Sequence, residues 1–198
     1  MEKLSKLLFT YRSYTPIPFL IIMLLFQQAT PASLIIGFVV AISGELTRFW
    51  GVSYAGSETR TTGKVGGTFL VISGPFAFVR NPLYVGNILI YTGIGIMSMS
   101  LFPYLQIVAV GFFLFQYYYI IFEEERYLFD AFGAHYRLYF QEVPRLLPRI
   151  TPYQNKEIIQ PEFSPEAGLR SERRTLQALT VVVILLLVSW FFNIGLAV

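Results

Sequence analysis

The sequence predicts an all-α integral membrane protein: a helical bundle of about five transmembrane helices, with an amphipathic segment on its cytoplasmic side. Three observations lead there. Of the 198 residues, 55% are hydrophobic and 14% charged, with a mean hydropathy of +0.56, whereas a soluble domain carries about a quarter charged residues. The apolar residues gather in five runs separated by polar, Gly-rich or Pro-marked segments. Basic residues then cluster at Lys3 to Arg12, Arg48 to Arg80 and Arg126 to Arg174, which five crossings put on one side, and the turns at 27–33 and 102–104 contain neither Lys nor Arg. By the positive-inside rule the start of the chain and all three basic regions face the cytoplasm.

The first run, IPFLIIMLLF at 17–26, is short for a bilayer of roughly 30 Å. Lys3, Lys6 and Arg12 precede it as they would in a signal peptide, but no clean small-residue cleavage site follows, so it is read as half of a hairpin turned by QQATPAS. The second span covers about 33–50 and carries Glu45 and Arg48, three residues apart and so neighbours on a helix near the interface. About thirty residues rich in Gly, Thr and Ser follow, too polar to cross, and are expected to form a folded loop. Spans at about 83–101 and 104–122 make a second hairpin turned at Pro103. Beyond them EEERYLFDAFGAHYRLYFQEVPRLLPRI has the amphipathic, aromatic and basic character of an interfacial helix, ended by Pro144 and Pro148. A charged connector at 149–175, including RSERR, leads to a last span at 176–198.

Function classes narrow quickly. Cysteine is absent and His135 is the one histidine, which excludes disulfides, thiolate nucleophiles and the usual zinc sites. The net charge of +3 is divided among loops, where it sets topology and attracts anionic headgroups; no nucleic-acid partner is expected. The sequence leaves the oligomeric state unset. The stretch VRNPLYVGN at 79–87 stands out because it puts Arg80, Asn81 and Pro82 directly before an apolar run, and polar groups there must be solvated, paired or occupied. Tyr84, Asn87 and Tyr91 form one stripe on a helix, with Gly86 and Gly93 on a neighbouring face and Gly95 close by. Helix packing and ligand contact both account for them. Of the three consecutive glutamates, Glu123 shares a face with Tyr119, Arg126, Tyr127 and Asp130, whereas Glu125 shares one with Ile121, Phe122, Phe129 and Phe132. A carboxylate on that apolar stripe is costly unless a cation meets it, so Glu125 is a functional candidate. His135 reads as a packing residue, and VPRLLPR as an anion-holding turn or a lipid anchor.

Together these pieces resemble the superfamily of isoprenylcysteine carboxyl methyltransferases and phospholipid methyltransferases. LVISGPFAFVRNPLYVG is similar to that group's G-P-[YF]-x-[YF]-V-R-H-P-x-Y-x-G signature, GIG at 93–95 to its G-x-G, Glu124 and Glu125 to its paired glutamates, and FGAHYRLYFQEVPRLLP to its closing motif. The resemblance implies a methyltransferase-like core at 70–148, S-adenosylmethionine as cofactor, and a lipid or lipid-linked acceptor. By position, Arg80, Asn81, Pro82, Leu83, Tyr84, Gly86, Gly93, Gly95, Glu124, Glu125 and Tyr136 would line the cofactor, with Glu125 and Tyr84 at the reacting centre and Tyr139 and Arg145 towards the substrate. The signature histidine is Asn81 here, and the arginine that carboxyl methyltransferases place five residues before the second glutamate is Ile120. The first keeps hydrogen bonding but loses the option of positive charge for gripping a carboxylate; the second weakens the case for a prenylcysteine carboxylate as acceptor. Two other classes compete: an NADPH-dependent sterol or enone reductase, with Arg60, Lys64, Arg80 and Arg145 on the nucleotide phosphates, and a non-enzymatic membrane scaffold.

Overall fold

The computed structural model describes residues 2–56 and 69–194, and the regular elements among them are all helical. In order they are α1 (Glu2–Tyr11), α2 (Pro16–Leu25), α3 (Pro31–Ala55), α4 (Pro82–Ser98), α5 (Tyr104–Glu142) and α6 (Pro165–Phe191), with a short 3-10 turn at Gly74–Ala77. Four helices begin on a proline, which lacks the N–H that a first turn leaves unpaired. At α3 the start is reinforced by a capping box: Ser33 N donates to Thr30 Oγ1 at 3.1 Å and Thr30 N to Ser33 Oγ at 2.9 Å. Ser164 caps α6 by accepting from Ala167 N.

Among the described residues, three helices, α3, α5 and α6, are long and apolar enough to cross a membrane. The pair α1 and α2 passes the same test together but bends by 53° at its break, and α4, with 17 residues, is a shorter apolar helix. The expected five crossings thus correspond to three full-length helices, one bent pair and one short helix. Two boundaries also move. Helix α6 starts at Pro165 rather than near Leu176, so Arg170 to Arg174 lie in its first turns and the connector shortens to 149–164. The fourth span and the amphipathic segment are one element, α5, whose 39 residues correspond to about 58 Å at 1.5 Å per residue, nearly twice the hydrocarbon core. It is broken only at Gly133, where φ is 51° and ψ −118°. A glycine tolerates that geometry without a β-carbon clash, and residues 134–142 leave the axis of the first part. Residues 57–68 of the expected folded loop, including Arg60 and Lys64, lie outside the described residues.

Helices α3 and α4 touch through glycine. A β-carbon at Gly93 would lie 2.6 Å from Gly37 O and 2.8 Å from Ala41 Cα; one at Gly44 would lie 2.5 Å from Gly86 O. Close approach of this kind is how helices associate in lipid, where no hydrophobic driving force separates helix from solvent. Helix α6 packs on the other flank of α3, with Gly168 against Ser53 and Phe49 and with Ser164 N donating to Ser53 O at 2.8 Å. On α5, Ala109, Phe113, Tyr117, Ile120 and Ile121 form a buried stripe, against which Phe19 of α2 and Leu8 and Phe9 of α1 pack. The chain after α5 returns to the start of α4: Arg80 N donates to Pro144 O, Arg149 N to Phe78 O and Tyr153 N to Ala77 O.

Candidate functional site

The mouth of the α4–α5 hairpin gathers the charges that the apolar pattern made conspicuous. Glu125 is 5% exposed and meets two guanidinium groups. Arg80 Nη2 donates to Glu125 Oε1 at 3.0 Å, Arg145 Nε donates to the same oxygen at 3.2 Å, and Arg145 Nη2 pairs with Oε2. Arg80 also donates to Phe140 O and Val143 O and lies 4.1 Å over the Phe140 ring. Its Nε is buried with no hydrogen-bond partner among the described residues. The cost of a buried carboxylate is thus offset by a doubled counter-charge, and the triad carries one positive charge in excess. It welds the segment after α5 to the entrance of α4, helped by Asn81 Nδ2 donating to Arg145 O at 3.1 Å.

Glu124 has a different environment. It is half-buried and accepts the Tyr84 hydroxyl at 2.6 Å, while Arg12 from the α1–α2 break acts on it electrostatically. The Tyr84 ring lies 4.7 Å from that of Tyr117, whose hydroxyl interacts with Asn87 and Tyr91. The polar stripe of α4 therefore faces α5 and ends on a carboxylate with its second oxygen left over for another partner. Neighbouring glutamates, about 100° apart around the helix, have separate surroundings: Glu125 is committed to two arginines and Glu124 to the Tyr84 hydroxyl. Glu123 pairs with Arg126 at 3.3 Å on the outer face, and exposed His135 sits 4.0 Å from Glu157.

The remaining sequence-predicted residues divide. Pro82 is fully buried at the helix start, and Leu83 packs against Gly51. Gly86 and Gly93 face α3, and Gly95 faces Gln106 and Met23. These glycines line helix contacts rather than the surroundings of Tyr84 and Glu124. Tyr136 and Tyr139 are buried with Leu70, Ile72 and Val143, and the Tyr139 hydroxyl donates to Phe76 O at 2.8 Å. Two small crevices lie lower, among α2, α4 and α5, and share Met23, Tyr91 and Phe113; neither reaches the glutamates. Side chains of the triad close the mouth itself.

A second buried cluster was not anticipated. Arg48 Nη2 donates to both oxygens of Glu172 at 2.8 Å and Arg48 Nη1 donates to Asn87 Oδ1 at 2.6 Å, with Glu45 3.8 Å from Nε. Glu172 is 0% exposed. One guanidinium thus joins α3, α4 and α6, and through Asn87 it reaches Tyr117 and the stripe below Tyr84. Glu45 and Arg48, expected as an interfacial pair, belong to this cluster. The signal available was an ionisable pair within an apolar span, but Glu172 is disguised by the arginines around it in RSERR.

Fold and site define a polytopic helical membrane protein with an ion-paired, tyrosine-bearing mouth at one end of a hairpin. The phospholipid methyltransferase family model matches residues 32–135, just over half of the chain, and the chain belongs to that family. The match takes in α3, α4 and α5 as far as the Gly133 break; Tyr136, Tyr139, Arg145 and α6 lie beyond it. The chain is also similar to the cobalt-zinc-cadmium resistance protein CzcN of Cupriavidus metallidurans, 31% identical over 127 residues, which are 64% of this chain and 54% of that protein. The chain thus spans about half the length of the curated relative it matches. No solved structure matches it.

Proposed function

We propose that the chain is an S-adenosylmethionine-dependent methyltransferase acting on a membrane-embedded lipid or isoprenoid-linked acceptor, with its site at the α4–α5 mouth facing the cytoplasm. The observation that carries this reading is the charge layout there. Arg80 and Arg145 exceed Glu125 by one positive charge, which complements the carboxylate of an amino-acid-bearing donor, and the unpartnered Arg80 Nε is a donor still to be satisfied. Glu124, one residue away, offers a carboxylate oxygen to an ammonium or other cation. The donor set fits the cofactor chemically, and room for it requires the Arg145 side chain, 29% exposed, to swing aside.

The cofactor supplies an electrophilic methyl group. The protein's part is to position and to exclude water, since an in-line methyl transfer needs little else. Arg80 and Arg145 orient the donor through its carboxylate. Tyr84 fixes the Glu124 carboxylate by its hydrogen bond, and with an amine acceptor the free oxygen of Glu124 receives the proton that the nitrogen loses. An oxyanion acceptor needs no such step. The reductase alternative draws on Arg60 and Lys64, which lie outside the described residues, and the family match is to methyltransferases. Mass spectrometry of lipid extracts from cells with and without the protein tests the proposal: a lipid species one methylene heavier in the expressing cells supports it, and identical lipid profiles under active expression count against it.

A further inference from the structure

The segment that returns from α5 carries large apolar side chains that the fold leaves outside. Leu147 is 80% exposed, Ile150 96% and Ile159 83%. They are held firmly in place. Arg149 N and Tyr153 N donate to Phe78 O and Ala77 O, and Gln160 bridges Leu70 O, Ile72 N and Ser73 Oγ. Apolar side chains fixed outward on a rigid frame mark an interaction surface, unlike scattered exposed leucines.

Their level relative to the bilayer follows from the ion triad. Glu125 lies three residues past Phe122, a 43% exposed residue at the end of the apolar part of α5, and Arg145 is bound to Glu125. Leu147 and Ile150 are two and five residues further on, hence within about 7 and 18 Å of Arg145 even if fully extended. Arg145 also lies 5.6 Å from the ring of Tyr118, which is 56% exposed on α5. Leu147 and Ile150 therefore lie close to the outer face of α5, and Arg149 supplies a cation beside them.

We infer that Leu147, Ile150 and Ile159 form an interfacial insertion surface, whose apolar side chains enter the headgroup and upper acyl region of the same leaflet while the neighbouring Arg149 meets lipid phosphates. The absence of cysteine makes this directly testable in the full chain. Single variants Leu147→Cys, Ile150→Cys and Ile159→Cys are labelled with bimane and reconstituted in phosphatidylcholine vesicles containing one quarter phosphatidylglycerol, with Val39→Cys as the reference on exposed α3 and free bimane-cysteine as the aqueous reference. The expected result is blue-shifted emission at 147, 150 and 159, quenching by lipid carrying a doxyl group near its headgroup, and loss of most iodide quenching. Iodide quenching equal to that of the free label overturns the inference. Protection from both quenchers also overturns it, by showing that protein covers the patch. All three positions are exposed, so the substitutions leave the core intact, and the readout is independent of methyl transfer.

Discussion

Replacing Glu172 by Gln tests whether α6 is integral to the site or an appendage outside the family match. The carboxylate is 0% exposed and both its oxygens accept from Arg48, whose side chain is 12% exposed. Removing one partner of such a pair costs about 3–5 kcal/mol because the other charge stays buried. Glu45, 3.8 Å from Arg48 Nε, retains part of the compensation, which favours the lower end, about 3 kcal/mol. For a chain of this size that corresponds to a melting shift of roughly 6–12 °C. Trp50 on α3 and Trp190 on α6 make intrinsic fluorescence a suitable reporter in nanodiscs. Arg48→Met should also destabilise, and the Arg48→Met, Glu172→Gln double variant should cost less than the two singles added together. Glu172→Gln melting within about 1 °C of the parent, or strictly additive costs in the cycle, would refute the coupling of α6 to α3.

Three further outcomes follow from the geometry. Gly93→Ala should destabilise by about 1–3 kcal/mol, since its β-carbon meets Gly37 and Ala41 backbone, whereas Gly111→Ala meets nothing within 4 Å and should be neutral or gain up to about 1 kcal/mol of helix propensity; thermal melts of the two variants check the contrast. With an amine acceptor, Glu124→Gln should lower kcat by about two to four orders of magnitude, and with an oxyanion acceptor it should leave kcat nearly unchanged, so one rate measurement sorts the acceptor classes. Glu125→Gln leaves Arg80 and Arg145 without their counter-charge and should release the segment after α5, read as faster tryptic cleavage at Arg145 and Arg149 with cleavage elsewhere unaltered.

Much of this architecture is legible in the string. The apolar runs mark the bundle, and the unusual face of Glu125 requires a cation partner, which the structure supplies twice. Other features depend on distance in sequence. Gly86 and Gly93 are seven apart, and so are Gly37 and Gly44, but which pair meets which is fixed only when α3 and α4 cross. Glu172 lies amid arginines and reads as a solvated charge until α6 is laid on α3. The difference between Glu124 and Glu125 lies in what reaches them from residues 12, 80, 84 and 145, beyond the scope of helical periodicity. The continuity of α5 through its glutamates escapes a hydropathy reading, which registers a change of solvent although the backbone hydrogen bonding runs on.

Isothermal titration of the intact chain in nanodiscs with S-adenosylhomocysteine tests the charge layout at the hairpin mouth most directly. Saturable binding by the parent, weakened in Arg145→Gln and unaffected in Ile159→Cys, is the predicted result. A folded, cooperatively melting preparation that releases or absorbs no heat on titration would contradict it.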